Sequence, residues 1–155
     1  MYKKISILLI ALLLLSQCGF KRLDNPMIIN ITSIETDGYK RANYFIKNNL
    51  LARKNNKDNN AKINIKLETK REKTITEKNI KNEITKYNIN IESSVNVYFI
   101  RENKTETFKI SENGDYRIEK SSISSSKNLD NLERNLSYSI AKKIRKKIMI
   151  LANDL

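Results

Sequence analysis

Between Tyr87 and Phe99 the chain alternates with a period of two: Tyr87, Ile89, Ile91, Ser93, Val95, Val97 and Phe99 fall on one parity, and polar residues fill Asn88 to Asn96 on the other. Successive side chains of an extended strand point to opposite faces, so the pattern describes one unusually long strand with a buried face and a wet face. Ala61 to Glu72 repeats it, with Ile63, Ile65, Leu67 and Thr69 set against Lys62, Asn64, Lys66, Glu68 and Lys70. One-sided strands need a layer over their apolar side.

Two stretches have the helical period that such a layer requires. From Tyr39 to about Lys54, Ala42, Phe45, Ile46, Asn49 and Leu50 share a face, opposite Lys40, Arg41, Lys47 and Arg53. From about Asn128, an expected N-cap, to about Asn153, Leu129, Leu132, Leu136, Ile140, Ile144, Ile148 and Leu151 step by three and four. Lys142, Lys143, Arg145, Lys146 and Lys147 crowd the C-terminal half of this second stretch, which suits the helix dipole and reads as a solvated face.

Met27 to Glu35 is rich in Ile and Thr, with Ile29 and Ile31 on one side and Ile28 and Ile34 on the other, and reads as a strand that meets apolar groups on both faces. Asp37-Gly38 stops it, and Lys54 to Asn60 is a loop. Arg71 to Asn82 is charged and weakly patterned, a strand extension followed by a loose connection. After the turn at Glu102-Asn103-Lys104, Thr105 to Ile118 forms a strand with Phe108, Ile110, Tyr116 and Ile118 on one face. Asn113-Gly114 is expected to be a bulge or bend inside it rather than a separate hairpin. Lys120 to Lys127 is a Ser-rich connector. The expected fold is α+β: a four-stranded mixed sheet in the order β-α-β-β-β-α, with both helices on one face. Lys66, Lys70, Arg101, Lys109 and Arg117 would then lie on the opposite face.

The N-terminus has a different character. Met1-Tyr2-Lys3-Lys4 is a cationic start, and Ile5 to Leu15 is apolar except for Ser6. That is the layout of a secretory signal peptide and is too short to span a bilayer. Leu15-Ser16-Gln17-Cys18 resembles a bacterial lipobox and places the only cysteine directly after the apolar run. The resemblance implies cleavage between Gln17 and Cys18, acylation of the Cys18 thiol and anchoring in the outer-membrane lipid, since Gly19 replaces the Asp that would mark inner-membrane retention. Residues 1–17 are then a signal peptide, 18–26 a lipidated tether and 27–155 a single domain. One acyl chain holds a protein only marginally, at about 0.8 kcal/mol per buried methylene, whereas several hold it firmly.

The net charge of +13 attracts anions. It is also what an A+T-rich codon usage, heavy in Lys, Asn and Ile, produces, and the lysines are spread along every element. Export leaves nucleic acid an unsuitable partner. No histidine is present, and there is no Gly-rich phosphate loop or nucleophile elbow. Acidic pairs such as Glu68/Glu72 and Asp130/Glu133 read as surface ion pairs. The sequence points to a protein that binds rather than one that catalyses, with no cofactor and no metal.

Together, the lipobox followed by Cys18-Gly19-Phe20, the strand-helix order, Asp115-Tyr116-Arg117-Ile118 at the end of the last strand, and the long basic C-terminal helix resemble the lipopolysaccharide-assembly lipoprotein family LptE. The resemblance implies an outer-membrane lipoprotein on the periplasmic side that plugs the β-barrel translocon LptD, helps it assemble and contacts lipopolysaccharide. Lys66, Lys70, Arg71, Lys73 and Arg117, on the exposed sheet face and its adjoining loop, are the candidate contacts for phosphate. A structural envelope lipoprotein, or a periplasmic module for anionic ligands, is the alternative reading.

Overall fold

The computed structural model describes residues 29–52 and 61–155. The leader, Gln17, Cys18, the tether and the loop predicted after the first helix lie outside the described residues. The elements are β1 (Ile29–Gly38), α1 (Lys40–Leu51), β2 (Ala61–Lys78), β3 (Ile84–Phe99), β4 (Lys104–Arg117) and α2 (Ser122–Asn153). The sheet runs β1-β2-β3-β4, with β1 parallel to β2 and the other pairs antiparallel. The expected α+β fold, order and mixed sheet are all present.

The two alternating stretches supply the core. Ile63, Ile65 and Leu67 of β2 and Ile89, Ile91, Val95, Val97 and Phe99 of β3 are buried against Ala42, Ile46 and Leu50 of α1 and Leu136, Ile140, Ile144 and Ile148 of α2. At about 25 cal/mol per Å² of apolar surface removed from water, this shared layer is the main force holding helices to sheet. Thr69 and Ser93 are its polar exceptions, and they satisfy each other with a hydrogen bond of 3.0 Å.

Four local expectations need correction. In β1 a register shift between Ile31 and Ser33 carries Ile34 to the same side as Ile29 and Ile31, opposite Ile65, so the strand has one apolar face and not two. The segment after Arg71 is no loose connection: β2 continues to Lys78, paired with β3 as far as Ile84. Its backbone ladder supplies the order that its hydrophobic pattern does not advertise. Asn113-Gly114 lies in an unbroken antiparallel register, with Ile89 opposite Gly114, so there is neither hairpin nor bulge. Glycine is needed there because a Cβ would lie 2.7 Å from Leu132 Cδ1 of α2. Finally, the Ser-rich connector is the first turns of α2. Ser121, not Asn128, is the N-cap, its hydroxyl accepting from Ser124 N–H, and Ser125 Oγ accepts from Glu119 N–H.

The corner between β1 and α1 is tight. Gly38 has φ +83°, Asp37 Oδ1 accepts from its N–H, and Tyr39 N–H donates to the Thr69 carbonyl at 2.7 Å. The chain therefore leaves the sheet at Thr69 while β2 runs on. At the far end, Asn79 closes the β2–β3 turn, its Oδ1 accepting from the N–H groups of both Lys81 and Glu83.

Candidate binding surface

Parity along the strands decides where the candidate cations lie. Even positions of β2 and β3 and odd positions of β4 point away from the helices, so Lys66, Lys70, Lys109 and Arg117 are on the open face as expected. Arg101 is not, because it belongs to the β3–β4 turn. Arg71 and Lys73 have the parity of Ile63 and Leu67 and lie on the helix side, within β2 and not in an adjoining loop. The five candidates are thus split between two faces.

The open face is polar and its charges are interleaved. Lys70 Nζ is 3.4 Å from Glu68, Lys109 Nζ 3.3 Å from Glu92, Arg117 Nη2 4.0 Å from Glu77 and Lys86 Nζ 2.6 Å from Asp115. The Lys86 ammonium, with the Asn88 amide, holds the Asp115 carboxyl below its usual range. Between the charges lie hydrogen-bonded pairs such as Thr107 with Asn96 and Asn88 with Asp115. The strongly positive balance of the whole chain is therefore absent from this face. Exposed pairs of this kind add little stability, at most about 1 kcal/mol each.

On the helix side, Arg71 belongs to a buried cluster around Glu133 of α2, which is 2% exposed. Arg71 Nε donates to Glu133 Oε1 at 2.6 Å and Tyr39 OH donates to Oε2 at 2.8 Å. Arg41 Nε approaches Oε2 to 3.4 Å while its Nη2 reaches Asp130 at 2.8 Å. The hydrogen bond to Asp130 raises the Arg41 pKa despite partial desolvation. One carboxylate thereby joins β2, both helices and the β1–α1 corner. Glu133 is not the surface ion-pair residue expected from its sequence neighbours. The missed signal was its spacing, since it falls four after Leu129 and three before Leu136, on the apolar stripe of α2.

Burial, with the hydrogen bond to Glu133, pushes Tyr39 up to about 12 from its ordinary 10. A phenol held neutral in the fold contributes stability that is complete below pH 10 and is lost as pH rises toward 12. Tyr39→Phe should therefore flatten the alkaline limb of a stability-against-pH curve between pH 10 and 12. An unchanged limb in urea titrations over that range would contradict the assignment.

Lys73 sits 3.6 Å from the centroid of the Tyr87 ring, and Tyr87 stacks on Tyr116 at 5.6 Å. Beside it, Ile75 is 50% exposed. On the other edge, Glu112 of β4 accepts from Lys143 and Ser139 of α2, and the Lys143 bond lowers its pKa most. A shallow hollow of about 380 Å³ lies at the β1–α1 corner, lined by Asp37, Lys40, Asn43 and Lys47 among others. Among the described residues no group of carboxylates is placed to hold a metal ion, and no helix is long and apolar enough to cross a membrane.

Similar solved structures share this geometry throughout. The rare lipoprotein B of Shewanella oneidensis superposes with a TM-score of 0.61 over 79% of this chain and 97% of its own, at 14% identity. The fold is one that several bacterial lipoproteins share. An uncharacterized lipoprotein B from Nitrosomonas europaea matches at 0.56 over 87% and 93%, with 10% identity. A putative lipoprotein from Caulobacter crescentus matches at 0.54 over 79% and 92%, with 14% identity. No protein-family model matches the sequence, and no curated protein does. At such identities the likeness is one of fold, carried by layer and strand order rather than by retained side chains.

Proposed function

We propose that this chain is an LptE-like outer-membrane lipoprotein, anchored through Cys18 on the periplasmic face, that plugs and helps assemble a β-barrel translocon of the LptD kind and binds lipopolysaccharide for delivery to the cell surface. The open sheet face supports this reading most directly. It is wide, rigid and polar, built from Asn, Ser, Thr and mutually neutralised charges, which complements the polar interior wall of a large outer-membrane barrel. The lipobox at Leu15 to Cys18 and the fold shared with bacterial lipoproteins support it as well. Lys66, Lys70 and Arg117 on that face and Lys73 on the other are the cations for lipopolysaccharide phosphates, through charge-assisted hydrogen bonds. Arg71 is occupied by Glu133 and positions the fold instead.

Cys18→Ala should abolish acyl labelling and release the protein from membranes. The wild type, extracted in detergent, should bring down a β-barrel partner in stoichiometric amount. The paired reversal Lys66→Glu and Lys70→Glu should lower lipopolysaccharide affinity at least several-fold at low salt. A membrane-retained protein that purifies alone, beside a barrel fully assembled in its absence, would overturn the plug and leave a structural envelope lipoprotein. Unchanged lipopolysaccharide binding in the reversal variant would remove the ligand assignment.

A further inference from the structure

We propose that the outer edge of β2 between Lys70 and Ile75 is a docking site for an extended strand of another protein, which it takes up by strand addition. β1 covers the edge of β2 only as far as Gly38 opposite Thr69. There the positive φ of Gly38 and the Tyr39 N–H to Thr69 carbonyl bond turn the chain up into α1. β2 itself continues, paired on its other side with β3 in regular register up to Ile75, where a register shift toward Glu77 interrupts it. Among the described residues no strand flanks this stretch on its outer side. The open length matches one ordinary strand of about 5–6 residues, limited below by the corner and above by a bulge of the kind that ends pairing.

Two hydrogen bonds fix which backbone groups are free. The Thr69 carbonyl accepts from Tyr39, on the β1 side, and the Lys62 carbonyl accepts from Ile100, on the β3 side. Odd residues of β2 therefore direct N–H and C=O away from β3, and Arg71, Lys73 and Ile75 present theirs at the open edge. Their side chains rise on the helix side, where α1 no longer covers the sheet: Lys73 lies over Tyr87 and Ile75 stays half exposed. The edge combines a donor and acceptor ladder, a cation and an apolar shelf. Natural edges of that sort are usually blocked or used.

Charge selects the occupant. A second copy pairing antiparallel about Lys73 would oppose Lys73 with Lys73, and pairing about Glu72 would oppose Glu72 with Glu72 and Arg71 with Lys73. Like charges directly opposite are unfavourable. A strand from a different protein with an acidic residue opposite Lys73 and an apolar one opposite Ile75 satisfies both. This docking site stands independently of the lipopolysaccharide and barrel reading.

The test uses the full-length protein and an acetylated octapeptide in which Val and Asp alternate on one face and Thr fills the other. Amide hydrogen exchange is followed by NMR. At millimolar peptide, exchange at Arg71, Lys73 and Ile75 should slow at least tenfold, whereas Glu72 and Thr74, already bonded to β3, should change little. Lys73→Pro, which removes one outward N–H and spares the inner ladder, should abolish the slowing, and Lys73→Ala should retain it. Lys73→Glu should exchange the preference to a peptide with Lys in place of Asp, a readout that stands even if the proline variant folds poorly. No slowing in the folded protein, equal slowing by a scrambled peptide, or the same preference in Lys73→Glu would overturn the proposal. So would protection of these three amides before peptide is added, which would assign the edge to the chain's own residues or to a second copy.

Discussion

Glu133→Ala is expected to lower unfolding free energy by about 2–4 kcal/mol, somewhat under the range for breaking a fully buried ion pair because Arg41 and Arg71 retain partial access to water. The loss arises from the groups left behind more than from the attraction removed. Arg71 and Tyr39 both direct hydrogen-bond donors at the carboxylate, and neither has another printed acceptor within the cluster. Glu133→Gln keeps an acceptor for one of them and should cost roughly half as much. Urea denaturation followed by circular dichroism measures both. An alanine variant within about 1 kcal/mol of the parent would mean that the cluster does not join sheet and helices as its geometry indicates.

The second large effect is expected at Gly38, where alanine should destabilise by about 2–4 kcal/mol. Part of that cost is the φ of +83°, which side chains rarely adopt. The remainder is steric, because an added Cβ would sit far inside contact distance of the Thr69 carbonyl oxygen, a backbone atom that cannot swing aside. Asn tolerates positive φ better than Ala, yet Gly38→Asn should fare no better here. The same carbonyl also receives Tyr39 N–H, so relief would have to open the corner that launches α1. Near-parental thermal stability of Gly38→Asn would show that the corner yields more easily than its contacts suggest.

These two positions also mark how far the sequence could be read. Strand and helix order followed from period alone, because Ile63 to Thr69 and Tyr87 to Phe99 alternate without a break and the helices carry clear stripes. What period cannot see is backbone economy. The continuation of β2 past Arg71 is held by its ladder to β3, the shift at Ile31 to Ser33 reverses a face, and Ser121 caps a helix whose first turns look like a linker. The candidate surface was legible in part: Lys66, Lys70 and Arg117 fall where parity puts them. Arg71 and Lys73 have the parity of the core but the chemistry of the surface. Their partners, Glu133 some sixty residues on and Tyr87 across the ladder, are visible only once the chain is folded.

The parallel pairing of β1 with β2 has a consequence for orientation in the cell. Ile29 lies beside Ala61, at the start of β2, so whatever holds the upstream chain holds that pole of the molecule. The turn from Asn79 to Glu83 lies at the opposite pole, up to about 55 Å away by the rise of an extended strand. There Ile80 stands wholly in solvent on a turn fixed by Asn79. A molecule moored at its base thus carries a stiff, isoleucine-tipped mast, and a distance label on Ile80 would report how upright that mast stands over the surface below it.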